Sequence, residues 1–342
     1  MRFGNAASPR RPGASRSWKR QAVALGAAAL MLPIAAGALG GATATATPIH
    51  SAPALRAPAG GYQDFQVPSS MGPVKVQVQW ASRGGNAALY LLDGLRARDD
   101  RNAWSFETNA LQQFAGDNVT LVMPVGGQSS FYSDWYSASN FNGQRTTYKW
   151  ETFLTKELPN FLAGYGVDPK NNAVAGLSMG GSAALDLAAH HRDMFKAAAS
   201  YSGYLNVSAP GMREAIRIAM LDAGRFNVDA MWGPPWSPAW LYHDPFVFAP
   251  QLKGLPLYIS AASGLPGPYD APRSAVGVFN TATAMGLEAL ALVNTRAFQV
   301  RLATLGVPAH FDFPAAGTHS WKYWESELWK SRPMFLDALN AH

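Results

Sequence analysis

The chain of 342 residues contains no cysteine. This absence excludes disulfide bonds, a thiol nucleophile and any metal site built on cysteine thiolates. The hydrophobic core alone must therefore hold the fold, and the length is sufficient for one large α/β domain. Acidic residues are also missing from the start of the chain, because the first one is Asp64.

The basic, then uncharged, N-terminal segment predicts a secretion signal over residues 1–46. Six basic residues precede an apolar run at 22–39, and small residues lead up to Ala46, where we expect cleavage. No apolar residues closely follow Arg10 and Arg11, which disfavours a twin-arginine signal. An uncleaved anchor helix is the competing interpretation, but the run is near the minimum spanning length. We therefore predict a secreted or cell-envelope protein.

The net charge of +6 belongs to this leader. Without its six basic residues, 22 basic residues balance 22 acidic ones, so no excess charge favours nucleic acid as a partner. Proline, alanine and glycine are frequent over 47–61, which predicts a flexible lead-in. A single domain is expected over 62–342.

A short apolar strand runs into Gly-Leu-Ser-Met-Gly at 176–180, and a helical pattern follows. This strand–turn–helix context is what a nucleophile elbow requires, with Ser178 at the turn. A side chain at Gly176 or Gly180 would collide with neighbouring backbone. The N–H of Met179, at the start of the helix, can face a developing oxyanion. A chance match to so short a pattern is the alternative, and the flanking elements disfavour it.

Predicted strands alternate with helical patterns along the chain. Residues 74–80 alternate apolar and polar side chains, and six further apolar runs indicate strands at 87–92, 118–124, 172–175, 197–201, 255–260 and 310–313. Helices are expected between and after them at 146–164, 211–223, 275–305 and 323–339. This order predicts a mainly parallel, doubly wound sheet.

The Trp- and Pro-rich segment 226–250 is either a packed loop or a cover over an apolar substrate pocket.

A serine nucleophile needs a base, and the base needs an orienting carboxylate, in the chain order Ser, acid, His. His319 follows the last predicted strand, where the base belongs. His310 opens that strand and is structural by this reasoning, whereas His243 precedes the acid positions and breaks the order. Pattern alone favours Asp270, after the penultimate strand, as the acid, and Glu288 in a helical stretch is the alternative.

The second oxyanion donor is expected from the loop after the third strand. Asp93-Gly94 there is an ordinary turn signal by itself. Its place beside the site makes the N–H of Leu95 the candidate donor.

Several long stretches resemble the antigen 85 mycolyltransferases of mycolate-bearing actinobacteria. They keep their order from about residue 61 to the end, and they read YLLDGLRARDD at 90–100, VMPVGGQSSFYSDWY at 122–136, TYKWETFL at 147–154, GLSM at 176–179, MWG at 231–233, FDFP at 311–314 and GTHSW at 317–321. They are longer and more unusual than the five-residue elbow pattern. The resemblance is therefore far more specific than that pattern.

The resemblance implies an α/β-hydrolase fold without cofactor or metal. It implies transfer of a mycolyl group from trehalose monomycolate to a second trehalose monomycolate or to cell-wall arabinogalactan, and it is compatible with peripheral association with the mycolate outer membrane. The family's nucleophile and base fall on Ser178 and His319. Its glutamate falls on Glu288, because Leu287-Glu288 precedes Phe298-Gln299 at the family's spacing. The backbone oxyanion donors fall on Leu95 and Met179, and the sugar contacts on Asp93, Arg96, Ser320 and Trp321.

Three departures from the family pattern affect these implications. Residues 137–146 lack the disulfide loop of mycobacterial members, which resembles a corynebacterial-type member. A sugar-binding asparagine of some members aligns with Glu107, and 260–273 departs freely on the acyl side. A secreted carboxylesterase that uses water is the first alternative function, and a fibronectin-binding surface protein is the second. An intact Ser178, Glu288 and His319 disfavours a purely binding role.

Overall fold

Apolar runs of the sequence form the centre of an eight-stranded sheet in the described part of the chain. The computed structural model describes residues 56–271 and 274–342, so the predicted leader, its cleavage position at Ala46 and most of the lead-in lie outside the described residues. The strands are β1 (Tyr62–Val67), β2 (Val74–Gln79), β3 (Ala87–Leu92), β4 (Val119–Pro124), β5 (Asn172–Leu177), β6 (Phe195–Tyr201), β7 (Leu257–Ser260) and β8 (His310–Asp312).

The strand order is β1-β2-β4-β3-β5-β6-β7-β8. From β4 to β8 all neighbours are parallel, whereas β2 pairs antiparallel with both β1 and β4. The prediction of a mainly parallel sheet is confirmed. The helices are α1 (Ala110–Gln113), α2 (Trp150–Thr152), α3 (Leu158–Ala163), α4 (Met179–His190), α5 (Met212–Gly224), α6 (Val228–Trp232), α7 (Ala239–Tyr242), α8 (Ala275–Thr304) and α9 (Trp321–Leu339). A π-helical turn, Phe153–Glu157, joins α2 to α3, and short 3-10 helices lie at Ala103–Ser105 and Ala249–Leu252.

The sheet is buried on both faces, which explains the continuous apolar sequence of its central strands. In β3, Leu89 and Leu91 belong to a core shared with α9, whereas Tyr90 and Leu92 belong to a core shared with α3 and α4. This two-sided packing makes the sheet doubly wound and leaves the ends of its parallel strands free for a site.

Two elements differ from the sequence predictions. Strand β1 was not expected, because four of its six side chains are exposed and its sequence is largely polar. The helix expected from residue 146 begins at Trp150 instead. Lys149 forms a β-bridge with Asp134, and the Tyr148 carbonyl accepts a hydrogen bond from the Trp135 N–H, so the preceding residues are extended.

Helix α8 is unusual because its two halves have different surroundings. No residue from 275 to 287 is buried, whereas Glu288, Ala291 and Phe298 are buried against the body of the protein. Among the described helices, α8 is the one whose length and composition would suffice to cross a membrane. Its packed second half shows that it is part of the folded domain.

Candidate active site

Ser178 lies in the tight turn between β5 and α4 with φ 51° and ψ −121°. This positive φ is strained for a residue with a side chain. A Cβ atom added at Gly176 would lie 2.2 Å from the Gly180 carbonyl oxygen, and one added at Gly180 would lie 2.4 Å from the Asp93 carbonyl oxygen. The turn therefore needs both glycines, as the sequence indicated, and it packs directly against the loop after β3.

The N–H groups of Leu95 and Met179 are the predicted oxyanion donors. Among the described residues, neither N–H donates a hydrogen bond to another protein atom. The Met179 side chain is buried, and its Sδ accepts a hydrogen bond from the Phe131 N–H at 3.2 Å. The two N–H groups therefore remain available to a ligand.

The structure brings Glu288 and His319 together. Glu288 Oε2 lies 2.8 Å from His319 Nδ1, and the glutamate side chain is only 1% exposed. An ionised carboxylate can only accept, so Nδ1 donates and Nε2 is left free to accept a proton. The ring of Trp324 packs edge-on against the His319 ring, with centroids 4.9 Å apart.

Sequence reasoning missed the groups that hold Glu288. Its Oε1 accepts hydrogen bonds from Ser202 Oγ at 2.8 Å and from the Ala262 N–H at 2.7 Å. Ser202 Oγ in turn accepts a hydrogen bond from Trp324 Nε1 at 3.0 Å. Ser202 directly follows β6, at the same edge of the sheet as the elbow, and that position was the available signal.

Asp270, which pattern alone favoured as the acid, does not contact His319. Its carboxylate accepts hydrogen bonds from Thr318 Oγ1 at 2.6 Å, from Tyr323 Oη at 2.5 Å and from the Gly267 N–H at 2.8 Å. These contacts fix the loop that carries His319. Asp270 is therefore placed to position the loop, and the geometry favours Glu288 as the acid.

The two other histidines considered as the base, His243 and His310, lie elsewhere. His243 Nδ1 is 2.9 Å from Asp186 Oδ2 on α4, and the exposed His310 stacks on Tyr258.

No hydrogen bond joins Ser178 Oγ to the His319 ring within residues 56–271 and 274–342. Such bonds are often long or misaligned before substrate binds, so this one has to form in the complex.

Segment 226–250 is packed and also lies beside the site. Trp232 is buried, and its Nε1 donates to Ser133 Oγ at 2.9 Å. The centroids of the Trp232 and Phe131 rings are 5.4 Å apart. The Phe131 N–H donates to Met179 Sδ, next to Ser178. The packing of Trp232 supports the interpretation as a packed segment, and a cover over a substrate pocket stays a prediction.

The predicted sugar contacts differ in their surroundings. The Arg96 side chain is exposed and forms an ion pair with Asp222 on α5. Ser320 is the N-cap of α9, and its hydroxyl makes no capping hydrogen bond. Trp321 is half-buried, with its ring centroid 5.4 Å from those of Trp104 and Trp324.

Asp93 is buried, and both of its carboxylate oxygens are engaged. Oδ1 accepts from the Gly94 N–H at 2.7 Å, and Oδ2 accepts from the Ala103 N–H at 2.9 Å. Burial raises the pKa of Asp93 to about 6, although these two N–H groups favour the charged form. A sugar contact by Asp93 stays a prediction, since its carboxylate already holds the oxyanion loop.

The raised pKa of Asp93 predicts a pH dependence of stability. Between about pH 4 and pH 6 the folded protein binds more protons than the unfolded chain, so this contribution to stability is lost as pH rises. We expect the free energy of unfolding, relative to Asp93→Asn, to fall by on the order of 2–3 kcal/mol between about pH 4 and pH 7. Urea denaturation of both proteins across this range measures it, and parallel curves would contradict the prediction.

The strained serine turn at the end of a parallel strand, with a Glu–His pair at the same sheet edge, defines an α/β-hydrolase. Residues 69–335 match the model of the putative esterase family. The diacylglycerol acyltransferase/mycolyltransferase Ag85C of Mycobacterium leprae is 44% identical over 283 residues, covering 81% of this chain and 82% of the relative. Ag85B of Mycolicibacterium smegmatis is 42% identical over 321 residues, covering 91% and 93%. The chain belongs to the antigen 85 family of acyltransferases within the putative esterases.

Solved structures agree with this assignment. MPT51 (FbpC1) of Mycobacterium tuberculosis matches with a TM-score of 0.71 and 32% identity, covering 82% of this chain and 100% of that one. The serine hydrolase FphF of Staphylococcus aureus matches with a TM-score of 0.61 at 15% identity and covers 82% of this chain and 99% of that one. The second similarity shows the fold alone.

Proposed function

We propose that this enzyme moves a mycolyl group from trehalose monomycolate, through a Ser178 acyl-enzyme, to a second trehalose monomycolate or to cell-wall arabinogalactan. The observation that carries the proposal is the buried Glu288–His319 pair beside the strained serine. More than 40% identity to proteins named mycolyltransferases supports the substrate class. Export through the predicted leader would bring the enzyme to these cell-wall substrates.

The chain's own residues account for both half-reactions. His319 Nε2 takes the Ser178 proton while Oγ attacks the ester carbonyl, and the N–H groups of Leu95 and Met179 stabilise the oxyanion. The proton passes to the departing trehalose oxygen, which leaves the mycolyl ester on Ser178. An acceptor hydroxyl then gives its proton to His319 and attacks that ester, and His319 passes the proton to Ser178 Oγ as the bond to the serine breaks.

Transfer rather than hydrolysis requires that a sugar hydroxyl displace water from this second step. Arg96, Ser320 and Trp321 supply charge, a hydroxyl and an indole face, which suit a disaccharide. A carboxylesterase remains the alternative function, because the Glu–His pair and the serine serve both reactions equally.

Removing the sugar-side residues is expected to shift the products from trehalose dimycolate towards free mycolate. Arg96→Ala and Trp321→Ala should each lower the ratio of dimycolate to free mycolate about five- to a hundredfold, since losing a charged hydrogen bond to the acceptor sugar or a stacked ring costs about 1–3 kcal/mol. Chromatography of the products formed from trehalose monomycolate gives the ratio.

Asp222→Ala is the matched control for Arg96→Ala, because it breaks the same ion pair and keeps the guanidinium. It should leave the product ratio close to that of the wild type. Hydrolysis of a short activated ester tests whether the oxyanion loop is intact in each variant. An unchanged ratio in Arg96→Ala and Trp321→Ala, with that ester cleaved normally, would favour the esterase.

A further inference from the structure

The first half of α8, residues 275–287, carries a large exposed apolar surface without charge. Val276, Val278 and Phe279 are 69%, 57% and 72% exposed. Residues 275–287 include no Asp, Glu, Lys or Arg. Leu265 and Tyr269, on the loop after β7, add two more exposed apolar side chains. We call these residues, 275–287 with Leu265 and Tyr269, the α8 surface.

The α8 surface is continuous with the active site. The His319 N–H donates to the Ala284 carbonyl at 3.2 Å, and Glu288 is the first buried residue after the exposed half. Gly264 packs against the helix, since a Cβ atom there would lie 2.8 Å from the Met285 carbonyl oxygen. Whatever covers the α8 surface therefore lies next to the Glu288–His319 pair.

The distribution of apolar side chains fits lipid better than a protein groove. Successive helical residues are separated by about 100°, so the exposed Val276 and Val278 lie on nearly opposite sides of the helix, with Phe279 on the same side as Val276. A helix bound in a protein groove shows one apolar stripe, whereas an environment of hydrocarbon accepts apolar side chains on every side. The absence of charged side chains also fits insertion among acyl chains rather than attraction to charged headgroups.

The exposed half is too short to cross a membrane. Its residues, 275–287, span about 20 Å at the usual helical rise, less than the roughly 30 Å of a bilayer's hydrocarbon core. It can reach only one leaflet, because the second half of α8 is packed on the folded domain. The helix would therefore lie in the lipid surface while the domain stays outside it.

We propose that the α8 surface docks the enzyme on a lipid layer and presents the acyl side of the active site to the lipid-embedded donor. This inference rests on the proposed function for the identity of the donor. Docking is driven by apolar contact and is therefore insensitive to salt. It explains why an uncharged, exposed helix adjoins a site whose substrate is a lipid.

The test compares two double variants of the exported enzyme on neutral phosphatidylcholine vesicles that contain trehalose monomycolate. Val276→Ser/Phe279→Ser removes two side chains of the α8 surface. Ile218→Ser/Val300→Ser is the matched control, since these side chains are 60% and 67% exposed but lie elsewhere. Val300 is about 30 Å along the helix from Phe279. Thermal unfolding and hydrolysis of a short soluble ester show that the fold and the triad are intact.

We expect the wild type and the control to bind the vesicles alike, and Val276→Ser/Phe279→Ser to bind at least about tenfold more weakly. Raising NaCl from about 0.1 M to 1 M should not weaken wild-type binding. Dimycolate formation from the vesicles should fall with binding, while soluble-ester hydrolysis is unchanged.

Equal vesicle binding by the two double variants would overturn the proposal. So would sedimentation showing a wild-type dimer that only Val276→Ser/Phe279→Ser converts to a monomer, because the α8 surface would then join two copies. If binding follows the expected pattern but no dimycolate forms, the proposed function fails while the docking surface stands.

Discussion

Ser178→Ala is expected to lower the rate of acyl transfer by about 10⁴- to 10⁶-fold, because no other group can form the acyl-enzyme. The fold should survive. Ser178 Oγ makes no hydrogen bond to the described protein, so its removal leaves no buried partner unsatisfied. Initial rates with trehalose monomycolate and mass spectrometry of the acyl-enzyme measure the effect.

Ser182→Ala is the matched control one helical turn further along α4. Ser182 Oγ donates to the Tyr204 carbonyl at 2.8 Å and accepts from the Tyr204 N–H at 2.9 Å. This variant should lose about 1–2 kcal/mol of stability and less than about tenfold in rate. A Ser178→Ala enzyme that kept more than a few per cent of wild-type activity would show that the nucleophile is another residue.

Glu288→Gln is expected to lower the turnover of both trehalose monomycolate and a soluble ester by on the order of 10³-fold or more. The neutral amide cannot stabilise the imidazolium that forms on His319. Its single oxygen also cannot serve His319 Nδ1 while still accepting from Ser202 Oγ and the Ala262 N–H. Steady-state rates with the soluble ester isolate this effect from sugar binding.

Two variants calibrate the Glu288→Gln result. Asp270→Asn and Ser202→Ala each disturb one neighbour of the pair but leave the Glu288–His319 contact in place. Each should cost roughly tenfold or less, because both variants keep the Glu288 carboxylate on His319. If Asp270→Asn were as damaging as Glu288→Gln, the assignment of the acid from geometry would be wrong.

The elbow could be predicted from sequence because its requirements are local. Gly176, Ser178 and Gly180 lie within five residues, and the strand and helix that flank them have their own patterns. Strand β1 escaped prediction for the opposite reason. Its mostly exposed, polar residues form a strand only because β2 offers them an antiparallel edge.

The acid could not be found from local pattern. Glu288 reads as a solvated residue in a helix, and only tertiary packing brings it to His319, Ser202 and Ala262. Family resemblance pointed to Glu288, where pattern alone favoured Asp270. The exposure of residues 275–287 was equally hidden, because an apolar helical pattern normally predicts burial.

All members of the site follow the carboxyl ends of parallel strands, and this arrangement makes the enzyme evolvable. Ser178 follows β5, Ser202 follows β6, Ala262 follows β7, and His319 follows β8. Each connection can change in length or sequence without moving the sheet, since doubling a flexible loop costs only about 0.6 kcal/mol. Residues 203–256, between Ser202 and β7, can therefore be remodelled for another acyl chain or acceptor while the serine and its base keep their positions.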